Sequence, residues 1–166
     1  MTEEITVTAP KNWLNKPGEA LIHAFEGCAK KRGDGKFAAY PDPGSRDGHP
    51  WTIGWGSTGA DVRPGTVWTQ EQCDARFLVD IERYVRDVRK ALGDAPTTPN
   101  QFDALVSFHY NTGGIARASL TRHFNAGNRA AAALGFMGWL KPAAIRSRRE
   151  AERDLFRDGR YQTGAI

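Results

Sequence analysis

Two carboxylic side chains, Glu26 and Asp42, stand in surroundings of opposite character. Glu26 follows Phe25 at the end of an apolar helical pattern and precedes Gly27, which allows a ligand to approach closely, whereas Asp42 lies in the polar, turn-rich stretch 40–44. Apolar surroundings favour a protonated acid and polar surroundings an ionised one. That difference suits hydrolysis of a glycosidic bond, in which one carboxyl group protonates the leaving oxygen and the other activates water or attacks the sugar. A single Glu or Asp is more often only a solvated surface charge.

The stretch 51–59 (WTIGWGSTG) strengthens the first interpretation. It carries two tryptophans, Trp51 and Trp55, together with three glycines. Tryptophan faces suit sugar rings, and glycine lets a strand backbone come close to a ligand. Taken alone, such a stretch is equally typical of a tight sheet packed on a core. Its position near a glutamate and an aspartate favours a carbohydrate site.

The elements that must position these residues change in type near residue 65. Before it, a helix-spaced apolar pattern is followed by short β-prone runs interrupted by Gly, Pro and Asp. After it, Thr69 and Thr98 each precede a glutamine by three residues, which is the pattern of a capping box at a helix start. In chain order, the predicted elements are a helix at Pro17–Cys28, strands at Lys36–Tyr40 and Trp51–Trp55, long helices from Thr69 to Gly93 and from Thr98 to Gly113, and shorter helices at Ser119–Asn125, Asn128–Leu140 and from Pro142 to Gly159.

This order of elements predicts an α+β fold. We expect a small antiparallel β-sheet lobe at about 30–65, a larger α-helical lobe at about 66–160 and a cleft between them, all within a single domain of residues 1–166. A cleft of this kind is where an extended substrate binds.

Bulk composition narrows the class of protein only a little. A net charge of +4 and a pI near 9.3 fit an anionic partner but do not choose among nucleic acid, a membrane surface and an anionic cell wall. Cys28 and Cys73 make neither a disulfide framework nor a zinc site, so we expect two reduced thiols unless geometry permits a conditional disulfide. Met1–Lys16 lacks a secretory signal pattern and no stretch is apolar for the ~18 residues of a membrane span, which predicts a cytoplasmic product.

Several ordered motifs resemble the phage-type lysozymes, glycoside hydrolase family 24. In this chain, Glu26, Asp42 and Thr52 with their neighbouring residues resemble the family's ordered pattern of a glutamate, an aspartate and a threonine. The stretch 100–108 with Asn111 and Gly113 resembles the family's central helix, and 148–156 resembles its C-terminal helix. The resemblance spans roughly residues 20–157 and implies a lysozyme-like fold.

The resemblance implies a role for each matching residue. Glu26 would be the general acid, Asp42 would position or deprotonate a water molecule, and Thr52 would help to hold that water, with inversion at the anomeric carbon. The candidate substrate-binding residues are Trp55, Gly56, Thr58, Tyr110, Asn111 and Ser119. Core packing and helix termination explain the last three about equally well. The arginines from Arg146 to Arg153 fall partly on one helical face and could meet an anionic wall, but a solvated face is the preferred interpretation.

The sequence departs from the family pattern at three places. Fifteen residues separate Glu26 from Asp42 and nine separate Asp42 from Thr52, more than is usual, with the excess in Lys30–Lys36 and Ser45–His49. These longer loops make Asp34 and Asp47 rivals of Asp42, which we prefer because only Asp42 has the matching Tyr-x-Asp context. Ser57 stands where many relatives have histidine, and we expect this to cost a local interaction and not the chemistry.

The function implied is that of an endolysin, an N-acetylmuramidase that hydrolyses peptidoglycan between N-acetylmuramic acid and N-acetylglucosamine. We expect a monomer without metal or organic cofactor, without nucleic-acid binding or membrane insertion and without a separate cell-wall-binding domain. It would remain in the host cytoplasm until a separate holin-type factor releases it to the wall. The alternatives are a lytic transglycosylase, a chitinase-like enzyme, a catalytically inactive wall-binding module and a basic nucleic-acid-binding domain.

Overall fold

The computed structural model describes residues 13–28 and 31–160. Most of the N-terminal stretch interpreted as lacking a secretory signal, and the first residue of the Lys30–Lys36 loop, therefore lie outside the described residues. The helices and strands, in chain order, are α1 Lys16–Glu26, β1 Phe37–Ala38, β2 Val67–Trp68, α2 Gln70–Leu92, α3 Pro99–Thr112, α4 Ser119–Asn125, α5 Arg129–Gly135 and α6 Arg146–Asp158, with 3₁₀ turns at Phe136–Gly138 and Ala143–Ile145.

The described residues divide into two compact units. One, called here the sheet unit, comprises 20–84 apart from 29–30, and the other, the helical unit, comprises 13–19 and 85–160. Within the described residues, no helix combines the length and the apolar character required to cross a membrane. The single-domain organisation stays a prediction.

The sheet unit is built from very short antiparallel pairings around a small apolar cluster. β1 pairs with β2, Phe37 opposite Trp68 and Ala38 opposite Val67, while Tyr40 and Thr52 form an isolated antiparallel bridge. The predicted strands at 36–40 and 51–55 are thus present only as two-residue segments or single bridges. β2 was missed because two residues are too few to show the alternation by which a strand is predicted.

Gly54 shows how tightly the segment carrying Thr52 packs on α2. Its φ of +64° lies in the left-handed region, and a Cβ built there would come within 3.0 Å of the Cys73 side chain. Ile53 and Cys73 are both fully buried in the sheet unit's apolar cluster. Any other residue at position 54 would therefore be strained in its backbone and crowded against α2.

The two capping boxes form as predicted. The Thr69 hydroxyl accepts the Gln72 N–H at 3.2 Å while the Gln72 side chain accepts the Thr69 N–H at 2.8 Å, and Thr98 and Gln101 make the same pair of bonds before α3. Each box satisfies backbone N–H groups that the first helical turn leaves without a carbonyl partner. The helix starts at Gln70 and Pro99 are therefore fixed by local sequence.

The helical unit packs around α3. Every residue from Gln101 to His109 is buried, so α3 is a core helix and not an amphipathic surface helix. α4 has the predicted bounds, and Gly159 ends α6 in the left-handed conformation. The predicted helix at Asn128–Leu140 is shorter, because α5 ends at Gly135 and continues as a 3₁₀ turn. With the small antiparallel sheet, these helices confirm the predicted α+β class.

Candidate active site

Glu26 is the last residue of α1 and is half-buried. The helix ends there because Gly27 adopts a φ of +60° and donates its N–H to the His23 carbonyl at 3.1 Å. The structure thus gives Gly27 a definite role as the residue after a helix end. The carboxyl group of Glu26 is carried on a rigid helix whose last turn also contains His23.

Thr52 and Asp42 are connected through Tyr40. The backbones of Tyr40 and Thr52 exchange two hydrogen bonds, each of 2.9 Å, and Asp42 follows two residues after Tyr40. The Asp42 carboxylate accepts the Gly44 N–H at 3.0 Å, which closes a tight turn. The Thr52 hydroxyl donates to the Pro50 carbonyl at 3.3 Å. The start of the 42–48 loop is therefore anchored to the segment that carries Thr52.

The Tyr40 phenol lies in the electrostatic field of both candidate catalytic carboxyl groups. Burial raises the pKa of the Tyr40 hydroxyl above its usual value, and the negative charges of Glu26, Cys28 and Asp42 raise that pKa further. The phenol is therefore protonated at neutral pH. The charges of Glu26 and Asp42 thus both act on the Tyr40 side chain, while the Tyr40 backbone pairs with Thr52. In the sequence pattern, Tyr40 serves only as context for Asp42.

The rival aspartates are engaged within their own exposed loops. Asp34 accepts the Lys36 N–H at 3.1 Å within its own turn. Asp47 accepts the Ser45 hydroxyl at 2.6 Å, and this hydrogen bond is the main cause of a lowered pKa of the Asp47 carboxyl. Both roles are local turn stabilisation, as is the Asp42 bond to Gly44. Asp42 differs in that its charge, together with that of Glu26, acts on Tyr40.

Trp55 makes close contacts inside the sheet unit. Its ring stacks on His23 with a centroid separation of 4.0 Å and an interplanar angle of 13°. Its indole N–H donates to the Asp74 carboxylate at 2.7 Å. Trp51 and Trp55 both pack against the apolar cluster of the sheet unit, so this environment gives Trp55 a packing role whether or not it contacts substrate.

Ser57, at the position where the resemblance leads one to expect histidine, is held by a side-chain hydrogen bond to α2. Its hydroxyl donates to the Asp80 carboxylate at 2.7 Å, and Arg76 pairs with the other oxygen of Asp80 at 2.9 Å. Arg76 also donates to the backbone carbonyl of Thr58 at 2.7 Å. Gly56, with a φ of +98°, lies between these contacts and Trp55. Ser57 is therefore tied to α2, and the expected loss of a histidine interaction stays a prediction.

The remaining three candidates lie in the helical unit. Tyr110 is half-buried near the end of α3, and Ser119 is exposed as the first residue of α4. Asn111 lines a cavity of about 770 Å³ together with Trp139, and its side-chain oxygen accepts a hydrogen bond from Arg149. Position alone leaves their part in substrate binding a prediction.

The interpretation of all arginines from Arg146 to Arg153 as a solvated face is wrong for two of them. Arg148 and Arg149 are 2% and 1% exposed and share the fully buried carboxylate of Glu152. Ser107 of α3 donates to the same carboxylate at 2.6 Å. Buried charges of this kind require close partners. The Arg-Arg-x-x-Glu spacing, with the glutamate three and four residues on, was the available signal.

The described parts of the chain offer neither a metal site nor an activated thiol. Over 13–28 and 31–160, no group of three or more His, Cys, Asp or Glu side chains could hold a metal ion. Cys28 and Cys73 are both free thiols that lie against each other, and burial raises the pKa of Cys73 to about 12.

Comparison with known proteins places this geometry in a class. The structure matches the endolysin from Escherichia coli O157:H7 phage FAHEc1 with a TM-score of 0.75 and 31% sequence identity, covering 91% of this chain and 97% of that one. It matches the muramidase domain of SpmX from Asticaccaulis excentricus with a TM-score of 0.75 and 30% identity, covering 88% and 98% of the two chains. The fold is therefore lysozyme-like.

Sequence comparison gives the family. The profile of the phage lysozyme family matches residues 23–152, and the chain belongs to this family, as the motifs predicted. The endolysin of Bacillus phage PZA is 37% identical over 153 residues, which cover 88% of this chain and 55% of that protein. The chain thus spans about half the length of the Bacillus phage endolysins that it matches.

Proposed function

We propose that this chain is a muramidase that hydrolyses the β-1,4 bond between N-acetylmuramic acid and N-acetylglucosamine in bacterial peptidoglycan. The observation that carries the proposal is the placement of Tyr40, which precedes Asp42 by two residues, whose backbone pairs with Thr52 and whose phenol lies in the field of the Glu26 and Asp42 carboxyl groups. Family membership and the names of its relatives, endolysin and muramidase, support the same reaction. Because this chain spans only about half the length of the Bacillus phage endolysins, their activity is carried over only as part of this proposal.

In the proposed mechanism, Glu26 protonates the glycosidic oxygen as the bond to the anomeric carbon breaks. Asp42 accepts a proton from the attacking water, and the Thr52 hydroxyl orients that water through a hydrogen bond. Water attacks from the face opposite the leaving group, which inverts the anomeric configuration. The products are a new reducing end on N-acetylmuramic acid and a free hydroxyl group on the leaving sugar.

Further parts of the proposal concern binding and cellular context. The candidate substrate-binding residues are Gly56, Thr58, Tyr110, Asn111 and Ser119. The protein acts as a monomer on the cell wall after a separate holin-type factor releases it from the host cytoplasm. The reaction uses no metal or organic cofactor, and the protein neither inserts into membranes nor binds nucleic acid.

The experiment is mass spectrometry of soluble products from purified peptidoglycan. We expect muropeptides with a reducing N-acetylmuramic acid end from the wild type. Glu26→Gln should lower the rate at least ~100-fold because it keeps the shape of the side chain but removes the proton donor. Anhydro-muramic products would make the protein a lytic transglycosylase and remove the role of Asp42.

Matched variants test which aspartate acts. Asp42→Asn should be severely impaired, whereas Asp34→Asn and Asp47→Asn should keep most of the activity because those carboxylates only stabilise their own turns. Each variant should melt as a folded protein by circular dichroism. Loss of activity in Asp47→Asn with an active Asp42→Asn would reverse the assignment.

A further inference from the structure

The turn of α1 that carries Glu26 is in contact with the segment that carries Thr52. His23 lies one helical turn before Glu26, on the same side of α1. Its ring is stacked on Trp55 at 4.0 Å on one side and meets Phe77 of α2 edge-on at 4.4 Å. Phe77 is only 1% exposed and belongs to the core. The His23 ring is thereby held between the 51–59 segment and a fixed point on α2.

Asp74 connects the same two segments from the first turns of α2. One of its carboxylate oxygens, Oδ1, accepts both the Trp55 indole N–H at 2.7 Å and the Gln70 side-chain amide at 2.9 Å. The Gln70 amide also lies 3.9 Å from the Cys28 sulfur, two residues after Glu26. Bonds from a neutral donor to a carboxylate are stronger than those between neutral groups. A single oxygen atom thus connects Trp55 with the chain immediately after α1.

From these contacts we propose that Trp55 and Asp74 are positioning residues that set the Glu26 carboxyl against Thr52 and its water. The inference rests on the proposed hydrolysis and adds to it a role for two residues that act through their contacts with the segments carrying Glu26 and Thr52. His23 holds the chain before Glu26 and Gln70 holds it after, while Thr52 is three residues before Trp55. A shift of the Trp55 ring would therefore move both the end of α1 that carries Glu26 and the segment that carries Thr52.

This role differs from a sugar-binding platform, which is what the sequence predicts for Trp55. One face of the Trp55 ring is covered by His23, and its only polar hydrogen is bonded to Asp74. A platform residue contributes mainly to substrate affinity. A positioning residue contributes to the geometry of the reacting groups, where an error of about 1 Å costs about 100-fold in rate. Separating kcat from KM therefore distinguishes the two roles.

The test is steady-state kinetics on soluble, uncross-linked glycan strands, with Trp55→Phe and Asp74→Ala as the principal variants. Trp55→Phe keeps an aromatic ring against His23 but removes the N–H donor. We expect kcat to fall about 10- to 100-fold in each with KM within about twofold of wild type. The double variant should be no slower than the worse single variant, since both remove the same bond. Asp74→Asn, which keeps an acceptor oxygen, should recover most of kcat.

The control is Val79→Ser, a substitution at an exposed position of the same helix. It should leave both kinetic constants unchanged. A raised KM with unchanged kcat in Trp55→Phe would overturn the proposal in favour of a sugar platform, and unchanged constants in both Asp74 variants would overturn it outright. If Trp55→Phe does not fold, the contrast between Asp74→Ala and Asp74→Asn decides. A wild type that releases no reducing muramic ends would instead refute the proposed function, which separates the two failures.

Discussion

Replacing Glu152 with glutamine removes a buried negative charge while keeping the shape of the side chain. The carboxylate is fully buried and accepts hydrogen bonds from Ser107 at 2.6 Å and from Arg148 at 3.3 Å, with a further bond from Arg149. A glutamine presents an amide donor to at least one of these donors. The guanidinium groups of Arg148 and Arg149, which are almost completely buried, would then have lost the negative charge that Glu152 supplies.

The expected loss in the free energy of unfolding follows from leaving these two buried positive charges without their carboxylate. Removing one partner of a buried ion pair costs about 3–5 kcal/mol. This is a large part of the ~5–15 kcal/mol that stabilises a typical domain. At about 2–4 °C per kcal/mol for a chain of this size, the melting temperature should fall by roughly 6–20 °C. The Glu152 carboxylate is thus expected to be essential for a stable α3–α6 pairing.

Urea denaturation followed by circular dichroism measures this loss, with Glu150→Gln as the matched control. Glu150 lies on the same helix but is 41% exposed, and its contact with Arg146 is 3.8 Å long. Exposed pairs of this type contribute at most about 0.5 kcal/mol, so the control should unfold like the wild type. A loss below about 1 kcal/mol in Glu152→Gln would refute the reasoning, because it would mean that the buried arginines are neutralised by other groups.

Two further predictions concern packing and thiol chemistry. Gly135→Ala should destabilise the protein by about 1–3 kcal/mol despite alanine's better helix propensity, because the new Cβ would lie 2.6 Å from the Cβ of Leu120. A Cβ at Gly138 meets open space, so the control Gly138→Ala should be neutral or slightly stabilising in the same urea assay. Iodoacetamide at pH 8 should not modify native Cys73, since burial raises its pKa to about 12 and only the thiolate reacts. Intact mass should therefore show at most one label, on Cys28, before denaturation and two after it; two labels on the native protein would contradict the buried thiol.

Much of the helical framework follows from the sequence alone because its signals are local. Thr69 and Thr98, each with a glutamine three residues later, define the starts of α2 and α3, and Gly113 ends α3 in the left-handed conformation. Such signals depend on hydrogen bonds within one helical turn, so they can be interpreted without knowing the rest of the fold. The family motifs likewise identify Glu26 as the candidate acid from the order of residues along the chain.

The partners of the candidate site residues could not be predicted in this way. The sequence suggested sugar binding for Trp55, but its ring lies on His23 and its N–H on Asp74, 32 and 19 positions away in the chain. Tyr40 gained importance only when the fold brought Glu26 and Asp42 near its hydroxyl group. Neither contact leaves a periodic pattern in the sequence.

The same distinction explains the arginines of α6. Local sequence specifies a helix and a positive charge at Arg148 and Arg149, and a charged helix face is normally solvated. Tertiary packing placed both against α3 and surrounded Glu152 with them. Local sequence determined where the helices begin and end, because the hydrogen bonds that cap a helix span only three or four residues. Only the folded chain determined which polar groups are buried together, because desolvation depends on every segment packed around them.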